Sequence, residues 1–320
     1  MTLKAFETDL EEDESAIRGP WRTPRQMLAA QTYDDHASIH DDATAQRLGF
    51  QKATIEGPTH FSPFVPLCYR LWGDAFFEAG CLSAHYRNAV FEGEETQAIL
   101  DRPAAGERQA AIRMVKRDGA EVLRGTASLA GAPGPTALER RLSEGLPALA
   151  EPVILANVKV GMRTRRQSVR MDFDRRMGEL YPFSLRQKLA VITEPSPFYD
   201  PAAAANAPWG RAVVPFEMLS VLFQYTARED GFPAHGPAVG LFADQEIRLL
   251  AGPLFVGEDY ELEREVIAMS GSRRTESLWV LTRVFAVGGD KEIARMLLNL
   301  ATLKDSYAPY EDERRRLYGG

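Results

Sequence analysis

An aspartate and a histidine five positions apart, Asp35 and His40, are the two side chains of this sequence best suited to acid–base chemistry. A carboxylate and a neutral imidazole that hold one water between them can activate that water as a nucleophile and deliver a proton elsewhere. Burial can set the pKa values of the two groups for these opposite roles. Asp35 and His40 are therefore candidate acid–base residues, with a capped turn as the alternative interpretation of the pair.

The sequence around this pair predicts a turn between two short helices, at residues 23–31 and 42–48. Such turns often carry functional side chains, because rigid elements on both sides fix their positions.

We expect His85 to belong to a strand, and we assign no role to His235. Four of the five histidines lie in the first third of the chain: His36, His40, His60 and His85.

Composition and charge narrow the class of protein. The 320 residues are 45% hydrophobic and 26% charged, which is typical of a globular chain with two domains or one duplicated domain. The net charge of -7 argues against nucleic acid and anionic membrane as partners.

The two cysteines lack a metal-ligand spacing, so no metal site is predicted. The N-terminus has no signal-peptide pattern and no long apolar run occurs, which predicts a cytoplasmic protein.

Similar short segments occur in the same order in both halves of the chain, roughly 160 positions apart. Residues 25–29 recur as residues 186–190, residues 52–55 as residues 211–214, and residues 88–94 as residues 252–258. Three matches in a constant order indicate an internal duplication with small insertions.

Each half is predicted to contain one apolar helix, at residues 61–72 and 216–227, followed by alternating strands. The strands are predicted at residues 82–91, 95–102, 108–117 and 120–130, and at residues 239–250, 259–270, 276–287 and 293–304. The helix is the only long apolar element available to cover each set of strands. We therefore expect an α+β fold of two modules, each an antiparallel sheet wrapped around a central helix.

Changes in composition predict the limits of the modules. We expect an acidic N-terminal arm at residues 1–18, an N-terminal module at 19–131, a linker at 132–152, a degenerate C-terminal module at 153–304, and a charged tail at 305–320. The linker is rich in proline and glycine around one short amphipathic segment.

The order of these features resembles the MaoC-like hydratase/dehydratase family, the (R)-specific enoyl-CoA hydratases with the hotdog fold. The family pattern is a short helix, an Asp-containing turn that closes on His, a small helix that ends in Gly, a Gly at the entry to the central helix, and a tight turn after a strand. The matching parts here are residues 23–30, 35–40, 41–49, 55–58 and 91–94. The resemblance implies a tandem, or double, hotdog.

The resemblance also implies a reaction. Asp35 and His40 would hold the water for reversible syn hydration of a 2-enoyl-CoA to a 3-hydroxyacyl-CoA, as in hydro-lyases of fatty acid metabolism. No cofactor is implied, since coenzyme A is part of the substrate, and a carrier-protein-bound acyl group is an alternative. The Gly57 N–H would stabilise the developing enolate oxygen.

The residues near Gly57 depart from the family pattern. Glu56 stands where the family usually has a histidine, and prolines interrupt the first half of the central helix, so residues 56–61 are predicted to be irregular. This suggests an altered pocket for a polar or unusual acyl group. The residues assigned to the oxyanion hole or to substrate binding are Glu56, Gly57, Thr59 and His60.

An arginine-rich stretch begins the second half of the chain. Its side chains could form an exposed polar face, or they could contact the phosphates of coenzyme A or of a phosphopantetheine carrier. The candidates for phosphate contact are Arg163, Arg165 and Arg166.

The second half lacks the catalytic pair, because the equivalent positions hold Ser196 and Pro201, or Glu194 and Tyr199 after a shift of two. We expect one active site per chain, in a monomeric pseudo-dimer or a homodimer. Two other functions remain open. A hotdog thioesterase could use Asp35 or Glu56, and a non-catalytic hotdog protein could bind acyl thioesters or serve as a structural partner.

Overall fold

The computed structural model describes residues 3–33 and 36–319. Within them, eleven strands form one antiparallel sheet, and two short strands, β3 (Thr32–Tyr33) and β4 (His36–Ala37), form a separate hairpin. The strands of the first half are β1 (Glu11–Glu12), β2 (Ala16–Arg18), β5 (Gly80–Tyr86), β6 (Thr96–Asp101), β7 (Gln109–Lys116) and β8 (Glu121–Leu129). Those of the second half are β9 (Gln167–Arg170), β10 (Gly240–Leu249), β11 (Asp259–Gly271), β12 (Thr275–Ala286) and β13 (Glu292–Leu303).

The strand order shows that the two halves are arranged symmetrically. The strand order of the sheet is β1-β2-β6-β7-β8-β5-β10-β13-β12-β11-β9. From the centre outward, the first half contributes β5-β8-β7-β6 and the second half contributes β10-β13-β12-β11, which is the same arrangement. The two halves meet where β5 and β10 pair antiparallel. In this pairing Asp244 lies opposite His85 at one end, and Arg248 lies opposite Cys81 at the other. Isolated bridges join Thr54 to Phe91 and Val213 to Phe255, which are equivalent positions in the predicted repeat. This is the predicted tandem hotdog architecture.

Seven α-helices accompany the sheet in the part of the chain that the structure describes. They are α1 (Asp42–Arg47), α2 (Val65–Trp72), α3 (Ala75–Ala79), α4 (Ala137–Ser143), α5 (Leu185–Leu189), α6 (Phe216–Gln224) and α7 (Tyr310–Tyr318). Three short 3-10 turns lie at Pro197–Tyr199, Ala204–Asn206 and Lys304–Ser306. The two central helices, α2 and α6, bury apolar side chains against the sheet, as the sequence predicts.

The entry to the first central helix is more regular than predicted. Residues Gly57–Phe64 form a 3-10 helix that continues directly into α2, so the prediction of irregular backbone at residues 56–61 is wrong. A 3-10 helix has a different hydrogen-bond spacing from an α-helix, and it accommodates Pro58 in its first turn and Pro63 near its end. Two further predictions need correction: residues 23–31 are not helical, and the strand predicted at 82–91 ends at Tyr86.

The N-terminal segment is an integral part of the fold. Strand β2 pairs with β6, and Ile17 is completely buried. Phe6 is also buried and packs against Tyr69, Phe77 and Tyr199. The sequence predicts only an acidic arm at residues 1–18. Its few apolar side chains nevertheless fill space that the two modules leave between them.

The predicted linker also packs closely on the sheet. Helix α4 begins with a capping box at Thr136 and Glu139, and its Leu138 is fully buried with Trp279 and Leu297. Thr136 donates a hydrogen bond to Glu246 on β10 at 2.5 Å. The helix therefore covers the outer face of the sheet where the two modules meet. The charged tail likewise forms α7, with Tyr310 buried.

Candidate active site

A cavity of about 530 Å³ is lined by residues of both modules. The polar part of the lining includes His40, Glu56, Gly57, Thr59, Lys188 and Glu217. The first four come from the segment between β4 and α2, and the last two come from α5 and α6. The site therefore needs both halves of the chain, although the predicted catalytic motif lies in only one.

His40 is held in one orientation by the backbone. Its Nδ1 lies 2.7 Å from the carbonyl oxygen of Thr54. Because a carbonyl oxygen only accepts hydrogen bonds, Nδ1 carries the proton and Nε2 keeps its lone pair. Burial lowers the pKa of His40, an effect that the negative charge of Glu56 opposes in part. The neutral ring can therefore accept a proton at Nε2.

Asp35, the predicted partner of His40, lies outside the described residues. The segment that follows it is described and fixes the position of His40. Asp41 caps α1 by accepting a hydrogen bond from Thr44 N at 2.8 Å, and Asp42 accepts one from Ala53 N at 2.7 Å. These contacts hold the turn that carries His40 against the segment that leads to Gly57.

Glu56 is buried and acts as an anchor for the neighbouring loop. One carboxylate oxygen accepts a hydrogen bond from Met27 N at 2.8 Å, and the other accepts one from the Thr59 hydroxyl at 3.3 Å. The Met27 contact ties the non-helical segment at residues 23–31 to the helix entry at Gly57. Glu56 thus fixes the shape of the site beside both His40 and His60.

Gly57 lies where its backbone can face the cavity. Within the described part of the chain, the Gly57 N–H donates no hydrogen bond. A Cβ atom at this position would lie 3.0 Å from Cζ of Tyr86, so the close approach of that ring requires glycine. Tyr86 is itself held by a hydrogen bond from its hydroxyl to Gln245 Oε1 at 2.9 Å. The arrangement leaves a free N–H donor at the start of the 3-10 helix.

Thr59 and His60, both predicted to bind substrate, are buried and line the cavity. The Thr59 hydroxyl donates to Glu56 and accepts a hydrogen bond from Lys188 Nζ at 2.9 Å. Burial lowers the pKa of His60 to about 4, against the opposing charge of Glu56, so this ring is neutral near pH 7. Neither side chain is an exposed surface group.

Lys188 and Glu217 are site residues that the sequence analysis missed. Their side chains are 4% and 2% exposed, and Lys188 Nζ lies 3.4 Å from Glu217 Oε1. Lys188 lies within the repeated segment at residues 186–190, but its position in the repeat gives no sign of a buried cation. Only the packing of the two modules brings this lysine next to Thr59, 129 positions earlier.

The three arginines predicted to contact phosphates are engaged in ion pairs outside the cavity lining. Arg163 pairs with Glu265 at 3.1 Å, Arg165 approaches Asp230, and Arg166 pairs with Asp290 at 3.3 Å. A second, smaller pocket of about 360 Å³ is lined by other arginines and shares Leu180 and Arg228 with the main cavity. Its arginines are Arg170, Arg175, Arg176 and Arg228.

No group of three or more metal-ligating side chains that could hold a metal ion occurs in residues 3–33 and 36–319. None of the helices in the same residues is long and apolar enough to cross a membrane.

Solved structures resemble this chain over most of its length. A putative MaoC domain protein dehydratase from Chloroflexus aurantiacus is 12% identical, with 94% of this chain and 95% of that chain covered and a TM-score of 0.51. The dehydratase domain of PpsC from Mycobacterium tuberculosis, solved with C12:1-CoA, is 10% identical, with 93% and 98% covered and a TM-score of 0.45.

A shorter structure matches about half of the chain. The (R)-hydratase from A. caviae involved in PHA biosynthesis is 24% identical, and the match covers 45% of this chain and 97% of that chain with a TM-score of 0.33. Comparisons with protein-family models and with curated proteins give no match.

Proposed function

From the premise that the chain has the tandem hotdog fold of the MaoC-like dehydratases, we propose that it is a hydro-lyase. It adds water to a 2-enoyl thioester, or removes water from a 3-hydroxyacyl thioester, at the cavity beside His40. The observation that carries the proposal is the orientation of His40. Its Nδ1 is bound to Thr54 O at 2.7 Å, which leaves Nε2 as the acceptor for a proton from water.

The chemistry of hydration assigns a role to each group. The water oxygen bonds to C3 of the enoyl group while one water proton passes to the base, and C2 receives a proton to complete the addition. Negative charge develops on the thioester oxygen in between, and the free Gly57 N–H is a suitable donor for it. Asp35 and His40 share the two proton transfers in this proposal.

Coenzyme A is the carrier that we propose for the acyl group. Arg175 and Arg176 of the second pocket suit its phosphates, because guanidinium groups match phosphate geometry and this pocket adjoins the main cavity. We assign phosphate contact to Arg175 and Arg176 in place of Arg163, Arg165 and Arg166, which pair with carboxylates.

Hydration of crotonyl-CoA, followed by the loss of enoyl absorbance, tests the proposal. Asp35→Asn and His40→Gln should each lower kcat by about 10²–10⁴-fold, the usual contribution of a general acid or base. His85→Gln is the matched control, since His85 bonds to Asp244 at 2.7 Å and does not line the cavity.

Three results would contradict the proposal. Full activity in both active-site variants would refute the assignment of Asp35 and His40. Release of free thiol without hydration would identify a thioesterase. Binding of enoyl-CoA with neither reaction would identify a non-catalytic acyl-thioester-binding protein.

A further inference from the structure

A buried charged pair lines the cavity without satisfying its own hydrogen bonds. Lys188 donates one hydrogen bond, to the Thr59 hydroxyl at 2.9 Å. Its distance to Glu217 Oε1 is 3.4 Å, and neither carboxylate oxygen of Glu217 has a hydrogen-bond partner among the described residues. A buried polar group without a partner is costly in a folded protein, so such groups are normally paired.

A second buried carboxylate shows what a structural pair looks like in this chain. Glu194 is 1% exposed, and its two oxygens accept hydrogen bonds from Arg22 at 2.6 and 2.9 Å. The Thr8 hydroxyl donates a third hydrogen bond to the same carboxylate. Glu194 does not line the cavity. Glu217, by contrast, lines the cavity, and its oxygens have no hydrogen-bond partner among the described residues. This indicates that the hydrogen-bonding capacity of Glu217 serves a ligand.

The charges around the pair determine which ligand fits. Lys188 already faces Glu217 and the negative charge of Glu56, so a ligand carboxylate would meet two carboxylates for one ammonium. Burial raises the pKa of Glu217 to about 7, although the charge of Lys188 opposes this shift. Glu217 can therefore accept or donate a hydrogen bond near neutral pH. A neutral hydroxyl can accept from Lys188 and donate to Glu217 at the same time.

We propose that Lys188 and Glu217 form a polar subsite that selects an acyl chain carrying a neutral hydroxyl group, in addition to the oxygen that hydration adds. The subsite lies in the same cavity as His40, and the inference rests on the proposed function. It makes the C-terminal module the part of the chain that determines acyl specificity. An unsubstituted chain would bury apolar carbon against an ammonium and a carboxyl group, and it would leave the Glu217 carboxyl group without a hydrogen-bond partner.

Equilibrium binding of saturated acyl-CoAs tests the subsite without requiring turnover. The probes are a series of acyl lengths from C4 to C8, each with a terminal methyl, a terminal hydroxyl or a terminal carboxylate. At the length that reaches the pair, the hydroxylated chain should bind at least tenfold more tightly than the methyl chain. One hydrogen bond to a charged group contributes about 1.5–3 kcal/mol, and each 1.4 kcal/mol is a factor of ten.

Variants assign the preference to these two side chains. Lys188→Met combined with Glu217→Leu removes the pair while keeping the volume, and it should reduce the hydroxyl-to-methyl affinity ratio to about one. Glu246→Gln is the matched control, because it alters a buried carboxylate that pairs with Arg248 outside the cavity and should leave the ratio unchanged. A merely structural role for the pair would weaken all probes equally.

Failure of the subsite and failure of the proposed function give different results. Equal affinities across the series, no binding of any acyl-CoA, tightest binding of the carboxylate, or an unchanged ratio in the double variant would each overturn the subsite. Crotonyl-CoA hydration could still be observed in each of these cases except the absence of acyl-CoA binding, which would overturn the proposed function as well. Conversely, a hydroxyl preference that the double variant abolishes would support the subsite even if no enoyl-CoA were hydrated.

Discussion

Substitution of Gly57 by alanine should damage both stability and turnover, and the structure gives the magnitude. The new Cβ would lie 3.0 and 3.1 Å from Cζ and Cε2 of Tyr86, and 3.3 Å from its hydroxyl oxygen. Optimal carbon contacts lie at about 3.5–4.0 Å, so the ring or the helix entry must move by roughly half an ångström. Tyr86 cannot move freely, since its hydroxyl is bonded to Gln245 and its ring lies against Phe61.

We expect two measurable effects of Gly57→Ala. Overpacking of this kind costs about 1–3 kcal/mol of the free energy of unfolding, measured by urea denaturation. Displacement of the Gly57 N–H from the thioester oxygen should lower kcat for crotonyl-CoA by about 10²–10³-fold, the usual loss for one oxyanion donor.

A second glycine supplies the control for this prediction. In Gly19→Ala the Cβ would lie 3.5 Å from Leu67 Cδ1, an ordinary contact, and Gly19 does not line the cavity. This variant should retain the urea midpoint and the turnover of the wild type. If Gly57→Ala also kept its kcat and its unfolding free energy, the role given to the Tyr86 contact and to the Gly57 N–H would be refuted.

Two further predictions concern the pH profile and the N-terminal segment. Burial lowers the pKa of His40 below 6.5, so its neutral form persists at lower pH and the acidic limb of kcat/KM should have its midpoint below pH 6.5. A midpoint at or above 6.5 that remained after Glu217→Gln, which removes the cavity carboxyl group with a raised pKa, would contradict this. Phe6→Ala should cost about 3–5 kcal/mol of unfolding free energy because it removes a buried aromatic ring. A change below about 0.5 kcal/mol, the size expected for the exposed control Val160→Ala, would show that the segment adds nothing to the core.

The strands could be predicted because their signal is local. Alternation of apolar and polar residues, with glycine turns between segments, places most strands of the two modules within two residues of their observed ends. The internal repeat made it possible to predict which segments of the two halves are structurally equivalent. It predicted that segments such as residues 52–55 and 211–214 are equivalent, and the bridges at Thr54 and Val213 lie at those positions.

The side chains around the cavity could not be predicted in the same way, because their environment is created by distant parts of the chain. Residues 23–31 have a helical pattern, yet Met27 N bonds to Glu56. The sequences of α5 and α6 likewise do not show that Lys188 and Glu217 are buried, because it is the packing of the two modules that buries them. Asp35, on which the proposed mechanism depends, stays a prediction.

The single sheet that joins the modules has a consequence for how the two sides of the cavity can change. In a homodimer of identical subunits, each substitution appears twice, once on either side of the two-fold axis. Here β5 and β10 join two segments of one polypeptide, so a mutation alters one side only. The first half can keep His40 and Gly57 while the second half acquires Lys188 and Glu217. Tandem fusion thus allows the two sides of the same pocket to change independently.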